Sequence, residues 1–247
     1  MPTTVLRIAR VIAHAAALTC MAYGYLSLPS LPNDKRIRQQ TGGHWQFLTL
    51  QGLAVAFITV FLSLLVDLFP GANLVISVKR TVLMGSLALS SVVSTIYWSL
   101  IALAPNLILR PIDTDPTQQV PRLGYLPLDV DLALHAAPAV ALLLEFFLLE
   151  RKYSAFDVTR VAPFLLFTYS TSYCIWIEYT STMNKTFPYP FLNTSLLNRL
   201  AIYISATLFA YISFRILNAL RIHSTGHGSA PKPSSSSSAR QGRRSPH

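Results

Sequence analysis

The chain has 247 residues, 52% hydrophobic and only 12% charged, with a mean hydropathy of +0.44, whereas a soluble domain carries roughly a quarter charged residues; water is not its main solvent. Its net charge of +10 resides at the ends of apolar runs and in the last residues, with no interleaved aromatic pattern, which argues for anchoring at a membrane surface and against nucleic acid. The two cysteines, Cys20 and Cys174, lie inside apolar runs, which excludes a disulfide framework and a zinc-type spacing.

Apolar runs of about 20 residues cross a ~30 Å hydrocarbon layer as helices, and about six are placed in chain order. The first, residues 11–28, follows Arg7 and Arg10. Its His14, Tyr23 and Tyr25 make a poor signal-peptide core, so an uncleaved first helix is expected. The others cover residues 46–69, 82–104, 130–149, 158–177 and 196–220. Segments rich in Pro, Gly, Asn and charge separate them and read as loops. The fold class is therefore an all-α, polytopic transmembrane bundle of about six helices, occupying residues 1–222. Residues 223–247 are Ser, Gly, Pro, Arg and His with almost nothing apolar, and are expected to form a disordered basic tail.

With an even number of spans, both termini share a side with Lys79, Arg80, Arg151 and Lys152, while Lys35, Arg36, Arg38, Arg110, Arg122 and Lys185 lie opposite. Apart from the tail the two sides nearly balance. The sequons at Asn184 and Asn193 fall in the fifth loop and tip the choice toward cytosolic termini in an endomembrane or plasma-membrane protein.

A polar side chain at membrane depth is costly unless it faces the bundle interior or a wet cavity. The spans hold His14, Thr49, Gln51, His135 and Glu145, with Asp67, Asp131 and Glu178 near their ends. Thr49 and His135 each lie just inside a helix entering from the same side, so their depths match, roughly 5 to 8 Å below the surface at 1.5 Å per residue. An internal threonine hydroxyl needs a neighbouring base to become a nucleophile. Neutral imidazole is the commonest such base, and Asp131, four residues before His135, shares its helical face and is a candidate for orienting the ring. The ordinary alternatives are a threonine bonded to its own i−4 carbonyl and a histidine bridging helices. Glu145, nearly three turns beyond His135, is expected to pair with another polar group such as His14 or to gate substrate. Gln51 is a candidate substrate or oxyanion contact, and Asp67 and Glu178 read as solvated flank charges.

The segment Gly42-Gly43-His44-Trp45-Gln46-Phe47-Leu48-Thr49 resembles the androgen-induced protein family, in which a Gly-Gly, aromatic, Leu-Thr segment leads into the second helix. A His followed ten residues later by Glu matches His135 and Glu145, and a Tyr-Pro-Phe-Leu segment matches residues 189–192. The resemblance covers residues from about 8 to 220 and implies an integral membrane hydrolase of fatty acid esters of hydroxy fatty acids, with Thr49 as nucleophile, His135 as its partner and no cofactor. The stretch Leu134-His135-Ala136-Ala137-Pro138 is more apolar than the family's pattern, which implies a difference in substrate preference. The partners expected are a lipid substrate and the membrane. Lys35, Arg36 or Arg38 is expected to receive the substrate carboxylate unless these are ordinary flank charges.

Two other classes compete. A transporter or channel would line a path through several helices with polar groups, and a membrane scaffold would need none. Of the six histidines only His14 and His135 lie in spans, so a metal centre is not expected. Met84-Gly85-Ser86-Leu87 does not supply the Gly-x-Ser-Gly segment of a rhomboid-type protease.

Overall fold

The computed structural model describes residues 2–110 and 123–221. The expected tail falls outside them, as does residue 222 at the end of the expected bundle. The long helices are α1 (Pro2–Leu26), α3 (Leu48–Leu68), α4 (Asn73–Leu103), α7 (Ala162–Asn184) and α8 (Leu196–Leu220), with a short α2 (Asp34–Arg38) in the first loop and a broken pair, α5 (Leu128–His135) and α6 (Ala137–Leu144), that runs on into a π-helical turn, Glu145–Leu149. A second π-turn, Asp157–Val161, precedes α7.

Helix α3 illustrates the packing rule of the bundle. Leu50, Leu53, Ala56 and Val60 recur every three or four residues and are buried against Leu83, Leu87 and Ala88 of α4 and Met21 of α1, while Phe57, Ile58 and Phe61 on the opposite face are exposed. Along α8 an outward row of Leu200, Ile204, Leu208, Ile212 and Ile216 recurs every four residues. An apolar exterior of this extent has no favourable partner in water and is covered by acyl chains in a bilayer. Thr59 and Ser86 bond to each other at 2.9 Å across α3 and α4, which satisfies both hydroxyls inside the apolar interface. At Gly24 a Cβ would stand 3.0 Å from the Ala133 Cβ, so this glycine sets how closely α1 approaches α5.

Four helices (α1, α3, α4 and α8) are long and apolar enough to cross a membrane, and the bent pair α5–α6 adds a fifth span. Helix α7 falls short in hydropathy, yet its 23 residues lead from the Tyr153–Asn218 end of the bundle to the Thr41–Asn184 end. The helix is rich in hydroxyl side chains: Tyr169, Ser170 and Tyr173 face an internal cavity, while Thr168, Thr171 and Ser172 are exposed. Both chain ends lie at one end of the bundle, where Arg7 donates to the Asp67 and Leu68 carbonyls and Arg221 to the Glu150 carbonyl. Six passes follow from that arrangement.

Helix α1 begins at Pro2 rather than residue 11 and α7 runs to Asn184 rather than 177, and two further differences have a clear physical reason. Helix α4 begins at Asn73 rather than residue 82, because Lys79 and Arg80 do not end it: Lys79 Nζ lies 2.8 Å from Glu145 Oε1 and 2.7 Å from Glu150 Oε2, and Arg80 pairs with Glu150. The fourth span breaks by 42° between α5 and α6, because Pro138 has no N–H for the Leu134 carbonyl and its ring crowds that turn.

Candidate functional site

The loop before α3 holds the nucleophile candidate in place. Gly42 and Gly43 both have positive φ, +85° and +48°, and a Cβ at Gly42 would also meet the Trp176 ring at 3.0 Å. The Gly-Gly pair is thus a backbone requirement for the turn into α3. The loop is tied to α7 by Tyr173 Oη donating to the Gln46 carbonyl at 3.1 Å, Trp176 Nε1 donating to the Trp45 carbonyl at 3.1 Å, and the Asn184 amide bridging the N–H and C=O of Thr41 at 2.8 and 3.0 Å. Asn184 Nδ2, the atom a glycan would take, is therefore already in use. Asp34 accepts from His44 Nε2 at 2.7 Å and from Arg38 Nε at 2.9 Å, and the His44 contact, aided by Arg38, holds its carboxyl below the usual carboxylate range. A depressed carboxylate pKa lends stability above the unfolded value and loses it as pH falls through the folded one. The loop should accordingly stay fastened at neutral pH and loosen in acid below about pH 4, which tryptophan fluorescence from Trp45 would report, with Asp34→Asn loosened at every pH.

Thr49 is the second residue of α3 and only 9% exposed. Its i−4 acceptor, the Trp45 carbonyl, is occupied by Gln51 Nε2 at 2.9 Å as well as by Trp176. The Thr49 hydroxyl turns instead to His135, with Oγ1 3.4 Å from Nε2, long for a hydrogen bond but within the looseness usual before substrate binds. His135 ends α5, is 6% exposed, and has its Nδ1 2.7 Å from Asp131 Oδ1. A carboxylate only accepts, so Nδ1 carries the proton and Nε2 presents its lone pair to Thr49. Tyr97 of α4 stacks on the imidazole, with ring centroids 3.4 Å apart and planes within 1°. Helices α1, α3 and α4 thus enclose a Thr–His–Asp chain, and the four-residue spacing of Asp131 and His135 forms one edge of it.

Two cavities meet there. The larger, about 640 Å³, lies among α3, α4, α7 and α8 and is almost wholly apolar. The smaller, about 160 Å³, lies among the loops and carries Arg36, His44 and Arg110 in its wall. Thr49, Tyr97 and Tyr189 line both, and His135 lines the smaller. Tyr189 belongs to the Tyr-Pro-Phe-Leu segment. Its phenolic oxygen accepts the Leu48 N–H at 2.8 Å, its ring meets Phe47 edge-on at 5.6 Å, and burial raises its pKa above the ordinary phenol value.

Other candidates lie elsewhere. Gln51 is held between the Trp45 carbonyl and Tyr169 Oη, the latter at 2.9 Å, and lines neither cavity; it fastens the loop to α7. Glu145 is also absent from both walls and sits at the opposite end of the bundle, 2.9 Å from His14 Nε2 and 2.8 Å from Lys79. Asp67 is not a solvated flank charge: it is 4% exposed, 2.9 Å from His14 Nδ1 and 3.1 Å from Arg10. Glu178 is likewise engaged, by Arg199 at 2.7 Å and Tyr203 at 2.9 Å. Among the described residues no group of His, Cys, Asp and Glu could hold a metal ion, and both cysteines are free. Sequence reasoning did not single out Tyr97, Tyr189 as a polar group, or Arg110 as a cavity residue, because nothing in the order of residues says which aromatic or loop cation faces a cavity. For Tyr189 a signal existed, in its confinement between Pro188 and Pro190.

No solved structure matches the chain. A UPF0641 membrane protein of Schizosaccharomyces pombe is 27% identical over 203 residues, which covers 81% of this chain and 85% of that protein. The model of the FAR-17a/AIG1-like protein family matches residues 9–221, a stretch that runs from α1 to the end of α8 and takes in the Gly-Gly turn, Thr49, Asp131, His135 and Tyr189. With its family model matched over residues 9–221 and an all-α bundle of membrane-spanning helices, the chain belongs to the FAR-17a/AIG1-like family of membrane proteins.

Proposed function

We propose that the protein is an intramembrane lipid esterase that cleaves fatty acid esters of hydroxy fatty acids, with Thr49 as nucleophile, His135 as general base and Asp131 as the group that positions the imidazole. The observation that carries this reading is the buried chain Thr49–His135–Asp131 at the junction of an apolar cavity and a smaller cationic one. A branched ester has two arms on either side of one carbonyl, and two chambers meeting at one hydroxyl suit that shape. The large cavity falls in the size range of small-molecule sites.

In the first half-reaction Thr49 Oγ attacks the ester carbonyl carbon as its proton passes to His135 Nε2. Collapse of the tetrahedral intermediate breaks the bond to the alkoxy oxygen, which leaves with the proton from Nε2 as the hydroxy acid. Water then attacks the acyl-threonine, gives a proton to Nε2, and Thr49 Oγ regains it as the fatty acid departs. The oxyanion is assigned to Tyr189 Oη. Its oxygen is occupied as acceptor for the Leu48 N–H, its raised pKa keeps its proton in place at neutral pH, and that proton is available at the junction of the two cavities. Tyr189→Phe should lower kcat about a hundredfold with little change in KM, as loss of one oxyanion donor does; an unchanged kcat would remove Tyr189 from the mechanism.

The decisive assay measures release of hydroxy acid from a branched ester by the purified protein and by Thr49→Ala and His135→Ala, beside a triglyceride and a phospholipid. Full activity in either variant would end the proposal. A transporter would want polar groups joined through the bundle. The ion cluster around Glu145 lies at the far end, and neither cavity is lined by His14, Asp67, Lys79 or Glu145. The cytosolic placement of both termini belongs to the same proposal and rests on the fifth-loop sequons and the basic residues of the tail.

A further inference from the structure

We infer that Arg110 and Arg36 form an anion-binding subsite in the small cavity, which takes the free carboxylate of the lipid and so decides which arm of a branched ester lies on which side of Thr49. The inference rests on the esterase reading for its biological meaning, but not for its test.

The first ground is placement. Arg36 and Arg110 both contribute to the wall of the small cavity, which also includes Thr49 and His135. The cavity is bounded by the loops before α3, after α4 and before α8, the polar end of the bundle, where the carboxylate of an amphipathic lipid resides. The neighbouring cations are excluded by their surroundings: Arg38 is paired with Asp34, and Lys35 does not line the cavity. The expectation for the carboxylate thus narrows to Arg36, and Arg110 from the distant third loop joins it.

The second ground is the unmatched charge. Arg110 is half-buried and its guanidinium donates to the Thr186 hydroxyl at 3.1 Å and to the Phe187 carbonyl, so its orientation is fixed by neutral groups. Among the described residues no carboxylate pairs with either Arg36 or Arg110. Burial first, and the like charge of Arg36 second, lower the Arg110 pKa. A half-buried guanidinium, Arg110, and an exposed one, Arg36, in the wall of one small space favour a bound anion. Arg36 and Arg110 are therefore positioned to accept a carboxylate, while the ester carbonyl reaches Thr49 and the acyl arm enters the apolar chamber.

The test is equilibrium binding of radiolabelled hydroxystearic acid and of its methyl ester to the purified full chain in detergent at pH 8, in both wild type and Thr49→Ala, with Arg36→Gln, Arg110→Gln and Arg110→Lys. The acid should bind roughly tenfold or more tightly than the methyl ester, the size of a hydrogen bond to a charged group. Thr49→Ala should keep that preference, Arg110→Gln should erase it, Arg36→Gln should reduce it, and Arg110→Lys should keep part of it. Equal binding of acid and ester, or a preference untouched in both Gln variants, would overturn the subsite whether or not the protein hydrolyses esters. Competition separates the two anion sources: displacement by lysophosphatidic acid as strong as by the fatty acid would make the site a phosphate-headgroup site and refute the carboxylate assignment. Failure of the esterase reading registers separately, as absence of Thr49-dependent hydrolysis in preparations that bind the acid.

Discussion

Replacing Thr49 by Ala should reduce ester hydrolysis at least about 1,000-fold, and His135→Ala should do the same within a factor of about ten. The reason lies in the interdependence of the pair. Without the imidazole the hydroxyl keeps its proton, and without the hydroxyl the imidazole has nothing to deprotonate but water. The double variant should therefore be no worse than either single one, since residues that act as one unit are not additive. Thr49→Ser should retain measurable turnover, because it keeps the oxygen and gives up only the methyl group that fixes its rotamer. Asp131→Asn is the more discriminating change. An amide in that place no longer holds the proton on Nδ1, and the lost tautomer should cost about a hundredfold or more in kcat with the fold intact. Labelling by a fluorophosphonate, followed on a gel for all five variants, checks these results without a choice of substrate.

The second large effect is expected in stability and at the other end of the bundle. Asp67, Glu145 and Glu150 are all buried, and they share Arg10, His14, Lys79 and Arg80 as counter-charges. His14 stands between two carboxylate oxygens, each 2.9 Å from one ring nitrogen, and its Asp67 contact lies off the N–H direction and is not a hydrogen bond. Glu145→Ala or Lys79→Ala should destabilise the protein by about 3 kcal/mol, because removing one member leaves a buried charge unmatched. Lys79→Met combined with Glu145→Met should be less damaging than either single alanine change, since charge is removed in balance while Glu150 keeps Arg80. Thermal unfolding in detergent measures all three. Hydrolysis at a permissive temperature should persist in each, because Glu145 lies ten residues, about 15 Å of helix axis, beyond His135. A Glu145→Ala protein as stable as wild type would show that the cluster is wet and weak rather than buried and strong.

The amino-acid order by itself determined the solvent of this chain and its helical class, and it marked Thr49 and His135 as polar side chains inside apolar runs. Hydrophobicity summed over 20 residues is a strong local signal, and the distance of Thr49 or His135 from a helix end is a count along the chain. It also marked the Gly-Gly turn, whose positive φ angles only glycine adopts readily, and the Asp131–His135 face, because four residues make about one helical turn. The same signal placed a span over residues 158–177, most of which lies in α7.

Contacts between residues far apart in the chain were decided only by the tertiary structure. Thr49 and His135 are 86 residues apart, and whether they meet depends on which helices are neighbours and how α5 bends at Pro138. Asp67 was misjudged for the same reason: its surroundings come from α1, which no local pattern reveals. Arg110 stands in the same position, since a loop cation becomes half of an anion site only when Arg36, from a different loop, is folded against it. Periodicity acts along the chain and pairing acts across it, and the chemistry of this protein lies in the pairing.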